Sequence, residues 1–212
     1  MTAYWEQLLP DLEPLSPPAE SYRILSCNIR AATTEAQIRT LVMTSACQGE
    51  GKTVTLANLG VALAQAGIDV LMLDANFRSP MLHHCFRTDN LRGLSSVLNG
   101  KVNLREAILE TSVINLRLLP AGPQPSNPAE LLCSRGIAAI LEESKALAEI
   151  TLIDTPHLIG LADALTLSTQ ADGTLLVIKL GQTNKAMLSK ALAQLERAKA
   201  KLLGMVSTNT IA

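Results

Sequence analysis

The segment Ala46-Cys47-Gln48-Gly49-Glu50-Gly51-Lys52-Thr53 follows a short apolar run at 41–45 and opens an alanine- and leucine-rich stretch at 52–66. It has the pattern of a loop that cradles phosphates, with Ala46 where the first glycine is usual. Gly49 and Gly51 let the backbone turn its N–H groups inward around phosphate oxygens. Lys52 supplies a point charge to the β and γ phosphates, and Thr53 supplies a hydroxyl to Mg²⁺. The helix that starts there adds the positive end of its dipole. Placement between a buried strand and a helix separates this loop from a chance Gly-x-Gly-Lys-Thr.

Two carboxylates complete the chemistry. Asp74 closes the apolar run VLML and begins Asp74-Ala75-Asn76-Phe77-Arg78-Ser79-Pro80. A carboxylate at that end of a strand, beside a triphosphate, can hold the metal's water shell or take a proton from a nucleophile. Asp154 ends the run at 150–153 and is followed by Thr155-Pro156-His157. It matches the acid that orients Mg²⁺ opposite the phosphate loop's hydroxyl. His157 reads as a turn residue beside proline, since no metal or triad spacing supports a proton relay. His83, His84 and Cys85 do not make a zinc site, being adjacent on one short segment with no second cluster.

These residues need a scaffold, and the pattern from residue 38 onward supplies it. Apolar runs at 41–45, 69–73, 116–119, 150–153, 174–179 and 203–207 read as buried strands. Segments 52–66, 128–147 and 183–201 carry alanine, leucine, lysine and glutamate at helical spacing. Such alternation predicts an α/β phosphate-loop NTPase fold, a mostly parallel central sheet with helices on both faces. Ligands of such sheets bind beyond the carboxyl ends of the strands, so the turns after 45, 74 and 154 should converge. Residues 1–19 read differently. Pro10, Pro14, Pro17 and Pro18 fall there, and Glu6, Asp11 and Glu13 meet no basic residue. The expectation is an acidic, proline-rich arm at 1–19, frayed rather than docked through Trp5, Leu8 and Leu9, and one domain at 20–212.

Composition narrows the class. Of 212 residues, 17% are charged and 2% aromatic, and the net charge is −1. Neither a polyanion-attracting field nor base-stacking platforms are encoded, so no nucleic-acid partner is expected. Cys27, Cys47, Cys85 and Cys133 form no Cys-x-x-Cys pair and read as reduced thiols. The N-terminus lacks a signal-peptide pattern, and no uncharged apolar stretch of spanning length occurs, so a cytoplasmic protein is expected. The helix at 183–201 carries Lys185, Lys190, Arg197, Lys199 and Lys201 against Glu196 alone, and reads as a solvated face.

Beyond the loop, further segments carry a resemblance: ESYR at 20–23 with Asn28-Ile29, DANFR at 74–78 with Pro80, GLSSVLNG at 93–100, LPAGP at 119–123, NPAELL at 127–132, DTP at 154–156 and Asp163-Ala164. Together they resemble the bacterial protein tyrosine kinases of capsular and exopolysaccharide production, phosphate-loop proteins related to partition-type ATPases. The extra lysine of the partition branch has Cys47 at its matching position. The resemblance implies ATP and Mg²⁺ as cofactors. It implies nucleotide contacts at Gln48, Gly49, Glu50, Gly51, Lys52, Thr53, Val54 and Arg78, and metal contacts at Thr53, Asn76 and Asp154. The catalytic set it implies is Lys52, Asp74 and Asp154, with Asp74 assisting or deprotonating the attacking hydroxyl. It also implies a membrane-spanning chain-length adaptor whose cytoplasmic tail completes the site, a tyrosine substrate in trans, a location at the inner face of the membrane through that partner, and homo-oligomers.

Four departures stand against the family pattern. Asn76 replaces the second acid of Asp-x-Asp, removing one negative charge and a proton acceptor. His157 replaces a proline. Ser26 replaces the last arginine of a Glu-x-x-Arg-x-x-Arg ring-assembly stretch that keeps Glu20 and Arg23. No tyrosine follows Tyr22, so the main substrate is expected in another protein, with Tyr4 the one candidate self-target. Two functions follow as expectations: a tyrosine kinase of polysaccharide production, or a catalytically weakened nucleotide-dependent switch in the same machinery.

Overall fold

The computed structural model describes Leu8 and residues 16–208. Uninterrupted apolar runs make strands that are buried on both faces: β1 (Thr40–Ser45), β2 (Val70–Asp74), β5 (Ile150–Asp154) and the first five residues of β6 (Gly173–Lys179). With β3 (Leu109–Glu110), β4 (Leu116–Leu119) and β7 (Leu202–Thr208) they form one sheet in the order β3-β4-β2-β5-β1-β6-β7. Among the described residues only the short β3–β4 pair is antiparallel. The mostly parallel sheet expected from the sequence is therefore present.

Alternation along each strand divides the core. Leu41, Met43, Met72 and Leu152 face one side, where they pack on α2 (Lys52–Gln65) through Leu56, Leu59 and Leu63. α1 (Pro17–Ala36) joins that layer through Ala19 and Ile29. Val42, Leu71, Leu73 and Ile153 face the other side. They meet Leu94 of α4 (Leu94–Leu98), Leu132 of α6 (Pro128–Cys133), Ile137 of α7 (Arg135–Ser144) and Leu167 of α8 (Asp163–Gln170). α9 (Lys185–Arg197) covers the β6 side through Ala191 and Leu195. Two short helices, α3 (Leu82–Cys85) and α5 (Leu104–Ala107), fill the connections.

Three expectations change. α1 begins at Pro17, inside the span read as the arm, because proline at the first helical positions lacks only an N–H that would be unpaired anyway. Leu8 is buried against the α1–α2 layer rather than frayed. Trp5, Leu9 and Tyr4 lie outside the described residues. Finally, the helix expected over 128–147 is two helices, since Ser134 takes an extended conformation (φ −66°, ψ 154°) that ends α6 and opens α7.

The N-terminus of α4 rests on the chain that leaves β4. Leu94 N–H donates to Pro120 O at 2.8 Å and Ser95 N–H to Ala121 O at 2.9 Å. A Cβ on Gly93 would lie 2.1 Å from Pro120 O and 2.4 Å from Gly122 N, both backbone atoms that cannot swing aside. Gly93→Ala is therefore expected to destabilise the fold by on the order of 4 kcal/mol. Urea unfolding would check this; a loss below about 1 kcal/mol would show that this contact is dispensable.

Candidate functional site

The parallel register brings the candidate residues to one end of the sheet. Asp74 at the end of β2 is directly opposite Asp154 at the end of β5, and Met43, two residues before the end of β1, is opposite Asp154. The phosphate loop leaves β1 and turns into α2 through Gly49 (φ 82°) and Gly51 (φ 84°), a left-handed conformation that only glycine adopts without strain. Gly51 stands immediately before α2, so the helix dipole points into the loop.

The loop lines a cavity of about 450 Å³. Gln48, Gly49, Gly51, Lys52, Thr53 and Val54 form one wall. Asn76, Arg78 and Met81 face them from the β2 side, and His157 from the turn after β5. Asp74 and Asp154 are fully buried and lie beneath these lining residues rather than among them. Thr53 Oγ1 donates to Asp154 Oδ2 at 2.8 Å, linking the loop's hydroxyl to the acid. The other oxygen, Asp154 Oδ1, is buried with no hydrogen-bond partner among the described residues. A buried carboxylate oxygen left unpaired beside a threonine hydroxyl suits a hard cation that takes oxygen ligands. Thr53 and Asp154 are thus chemically fit to serve Mg²⁺, directly or through its water shell, while the Asn76 amide oxygen accepts from Ser79 N–H at 3.3 Å.

Asp74 is held by three backbone donors. Asn76 N–H reaches its Oδ1 at 3.0 Å, and Met81 and Leu82 N–H reach its Oδ2 at 3.1 Å each. These bonds fix the 76–82 turn that forms the far wall. Burial, and secondarily the charge of Asp154, push Asp74 up to about 8. Burial also raises Asp154, against the opposing pull of Lys52, Thr53 and Asn76. His157 is lowered by burial first and by Lys52 second, which favours its neutral form in the cavity wall.

Folded Asp74 keeps its proton at pH values where the unfolded chain has released it. Its contribution to stability is therefore present at low pH and is lost as pH rises toward about 8. His83 and His157, both lowered by burial, oppose this trend only below their ordinary value of 6.5. The nucleotide-free protein is thus expected to lose thermal stability between about pH 6.5 and pH 8. Calorimetry without divalent cations would test this; a melting temperature that rises across the window contradicts the assignment.

Two sequence-identified residues act differently from simple ligands. Arg78 lines the cavity, but its guanidinium is fixed by Asp163, with Nε on Oδ2 at 2.9 Å and Nη2 on Oδ1 at 3.0 Å. Asp163 is fully buried at the start of α8, so this two-point pair sets the angle at which Arg78 meets the cavity. Glu50 is also buried and does not line the cavity. Its carboxylate accepts from Cys47 N–H at 2.7 Å and from Thr183 Oγ1, while its carbonyl accepts from Thr208 Oγ1 at 2.9 Å. Sequence reasoning did not find Asp163 as the partner of Arg78, nor Thr183 and Thr208 as anchors of the loop. Their separations of 85, 133 and 158 residues leave no local pattern.

This chain belongs to the CobQ/CobB/MinD/ParA nucleotide binding domain family, whose model matches residues 41–211. Within that family its similarity is to bacterial tyrosine kinases. Tyrosine-protein kinase YwqD of Bacillus subtilis (strain 168) is 41% identical over 194 residues, covering 92% of this chain and 82% of that protein. The crystal structure of the chimerical protein CapA2B2 superposes with a TM-score of 0.90 at 34% identity, over 97% of this chain and 90% of that one. The septum site-determining protein MinD of Pyrococcus horikoshii OT3, complexed with Mg-ADP, superposes at 0.67 with 26% identity, over 79% and 68% of the two chains. Among the described residues no helix is long and apolar enough to cross a membrane.

Proposed function

We propose that this chain binds Mg·ATP in the cavity and transfers the γ-phosphate to a tyrosine of another protein within a capsule or exopolysaccharide machinery. One observation carries the reading. Thr53 bonds to Asp154, Lys52 acts on it electrostatically, and Asp154, with one buried oxygen unpaired among the described residues, stands opposite Asp74 at the ends of adjacent strands. The Mg-ADP complex of MinD and the kinase name of YwqD support it.

The roles follow from position. Backbone N–H groups of the 48–53 loop and the Lys52 ammonium bind the β and γ phosphates. Thr53 and Asp154 hold the cation, and Arg78, aimed by Asp163, sits where it can meet the transferring group. When bound, Mg²⁺ supplies positive charge that neutralises phosphate oxygens and the two buried carboxylates. Asp74 has three lone pairs engaged by backbone donors and, without the cation, keeps its own proton on the fourth; beside a bound cation's charge it would release that proton, freeing the fourth for the proton of a tyrosine hydroxyl. Because Asp74 lies beneath Asn76 and Met81, that transfer requires the 76–82 turn to admit the hydroxyl. The adaptor tail that the family resemblance implies is the element we assign to completing this wall.

Asn76 favours a second reading, a nucleotide-dependent switch that binds ATP and turns it over slowly, because an amide replaces an acid beside the cation site. The test is calorimetric titration with Mg·ATP, then phosphotyrosine detection with an adaptor tail and a tyrosine peptide present. Absence of nucleotide binding overturns both readings. Binding without phosphotyrosine overturns the kinase and retains the switch.

A further inference from the structure

Two segments specific to the resemblance, GLSSVLNG at 93–100 and LPAGP at 119–123, play no part in the phosphate cavity. They meet elsewhere on the molecule. Parts of the 91–102 segment, Ser95 and Ser96 among them, and residues 123–125 line a second cavity of about 680 Å³, supported by the bonds from Leu94 and Ser95 to the chain leaving β4. Its chemistry is one-sided. Arg92 and Lys101 face it, Asn99 and Gln124 add amides, and no acidic residue lines it among the described residues. Neither Arg92 nor Lys101 has an ion pair or hydrogen bond from its side chain among the described residues. At its rim Leu91 is 78% exposed, an unusual position for a large apolar side chain without a partner.

Position links this cavity to the first. The chain at 120–125 leaves the carboxyl end of β4, the same end of the sheet that carries the phosphate loop, Asp74 and Asp154. In the strand order β4-β2-β5-β1, the exit of β4 lies three strand spacings from that of β1. At about 4.8 Å per spacing that is about 14 Å, the length of about four extended residues.

Resting on the kinase reading above, we infer that this second cavity receives the acidic flank of the tyrosine-bearing substrate segment. The segment lies extended along the carboxyl edge of the sheet. Its tyrosine enters beside Lys52, carboxylates about four residues away pair with Arg92 and Lys101, and an apolar neighbour covers Leu91. The substrate class is thus a protein segment with a tyrosine followed or preceded at that distance by a cluster of Asp or Glu. The unpaired cations act as a selectivity filter, because a basic flank would meet two like charges.

The experiment uses the full chain loaded with Mg·ADP and fluorescently labelled ten-residue peptides, each with one tyrosine. Three glutamates are placed three to five positions away, on either side in separate peptides, with glutamine and lysine versions as controls. Anisotropy is expected to show a glutamate peptide binding about tenfold or more tighter than its glutamine version, with the lysine version weakest. In the variant R92E/K101E the order should invert, so that the lysine peptide binds best, while Mg·ATP affinity by calorimetry stays unchanged. Equal binding of all three peptides to the wild-type chain overturns the inference, as does an unaltered preference in R92E/K101E. Those results leave the kinase reading standing if Mg·ATP binds. A chain that binds no Mg·ATP overturns the kinase reading and this inference with it.

Discussion

Asp154→Asn is expected to stabilise the nucleotide-free protein while lowering phosphotransfer by about 100- to 1000-fold. The two effects have one origin. Asp154 is fully buried opposite Asp74, and one of its oxygens lacks a partner. Burial raises Asp154, so its charged form is costly in the nucleotide-free site, and a neutral amide removes that charge while its oxygen can still accept from Thr53. The same substitution removes the charge through which Thr53 and the acid would hold Mg²⁺, so the electrostatic support of the transferring phosphoryl group is lost. Thermal unfolding at pH 8 without divalent cations would show the first effect, and initial rates of phosphotyrosine formation the second. A variant that transfers phosphate at the wild-type rate would remove Asp154 from the catalytic set. One less stable than wild type would show that burial of the Asp154 charge carries no net penalty.

Asn76→Asp is expected to do the reverse. Asn76 Oδ1 accepts from Ser79 N–H at 3.3 Å, and its amide side lies toward Asp154, which it draws down. Aspartate preserves the acceptor but sets a second carboxylate oxygen against Asp154, in a wall where Asp74 already resists ionisation. Two unit charges about 4 Å apart repel by about 4 kcal/mol at an effective dielectric of about 20. The nucleotide-free variant should therefore lose a few kcal/mol at pH 8, and added Mg²⁺ should restore it. Phosphotransfer should rise by about tenfold or more as the cation gains a charged partner. Melting curves with and without Mg²⁺, run beside phosphotyrosine assays, would decide. Restoration by Mg²⁺ without faster transfer would show that Asn76 does not limit phosphotransfer and strengthen the switch reading.

The contrast between these two positions shows what the sequence could reveal. Lys52, Thr53, Asp74 and Asp154 were legible because each ends an apolar run or follows one, and a parallel sheet gathers such ends. The buried strands were legible for the same reason, since runs without polar interruption fit only a sheet covered on both faces. α1 was obscured by Pro17 and Pro18, whose effect depends on whether they start a helix or interrupt one. The break at Ser134 was obscured because alanine- and leucine-rich spacing continues through it. Asp163 and Thr183 act through partners far away in sequence, so only folding reveals what they hold.

Glu50 has a consequence for the thermodynamics of nucleotide binding. Its buried carboxylate grips Cys47 N–H and Thr183, and its carbonyl is held by Thr208 of the outermost strand. A loop fastened at three points surrenders its conformational entropy while the chain folds, not when a ligand arrives. Nucleotide therefore meets a preorganised anion nest. The heat capacity of binding should reflect the surface that is covered, with little added by ordering of the loop. Release of Thr208, as in Thr208→Val, would defer part of that ordering to the binding step, and weaker affinity would appear chiefly as a less favourable entropy.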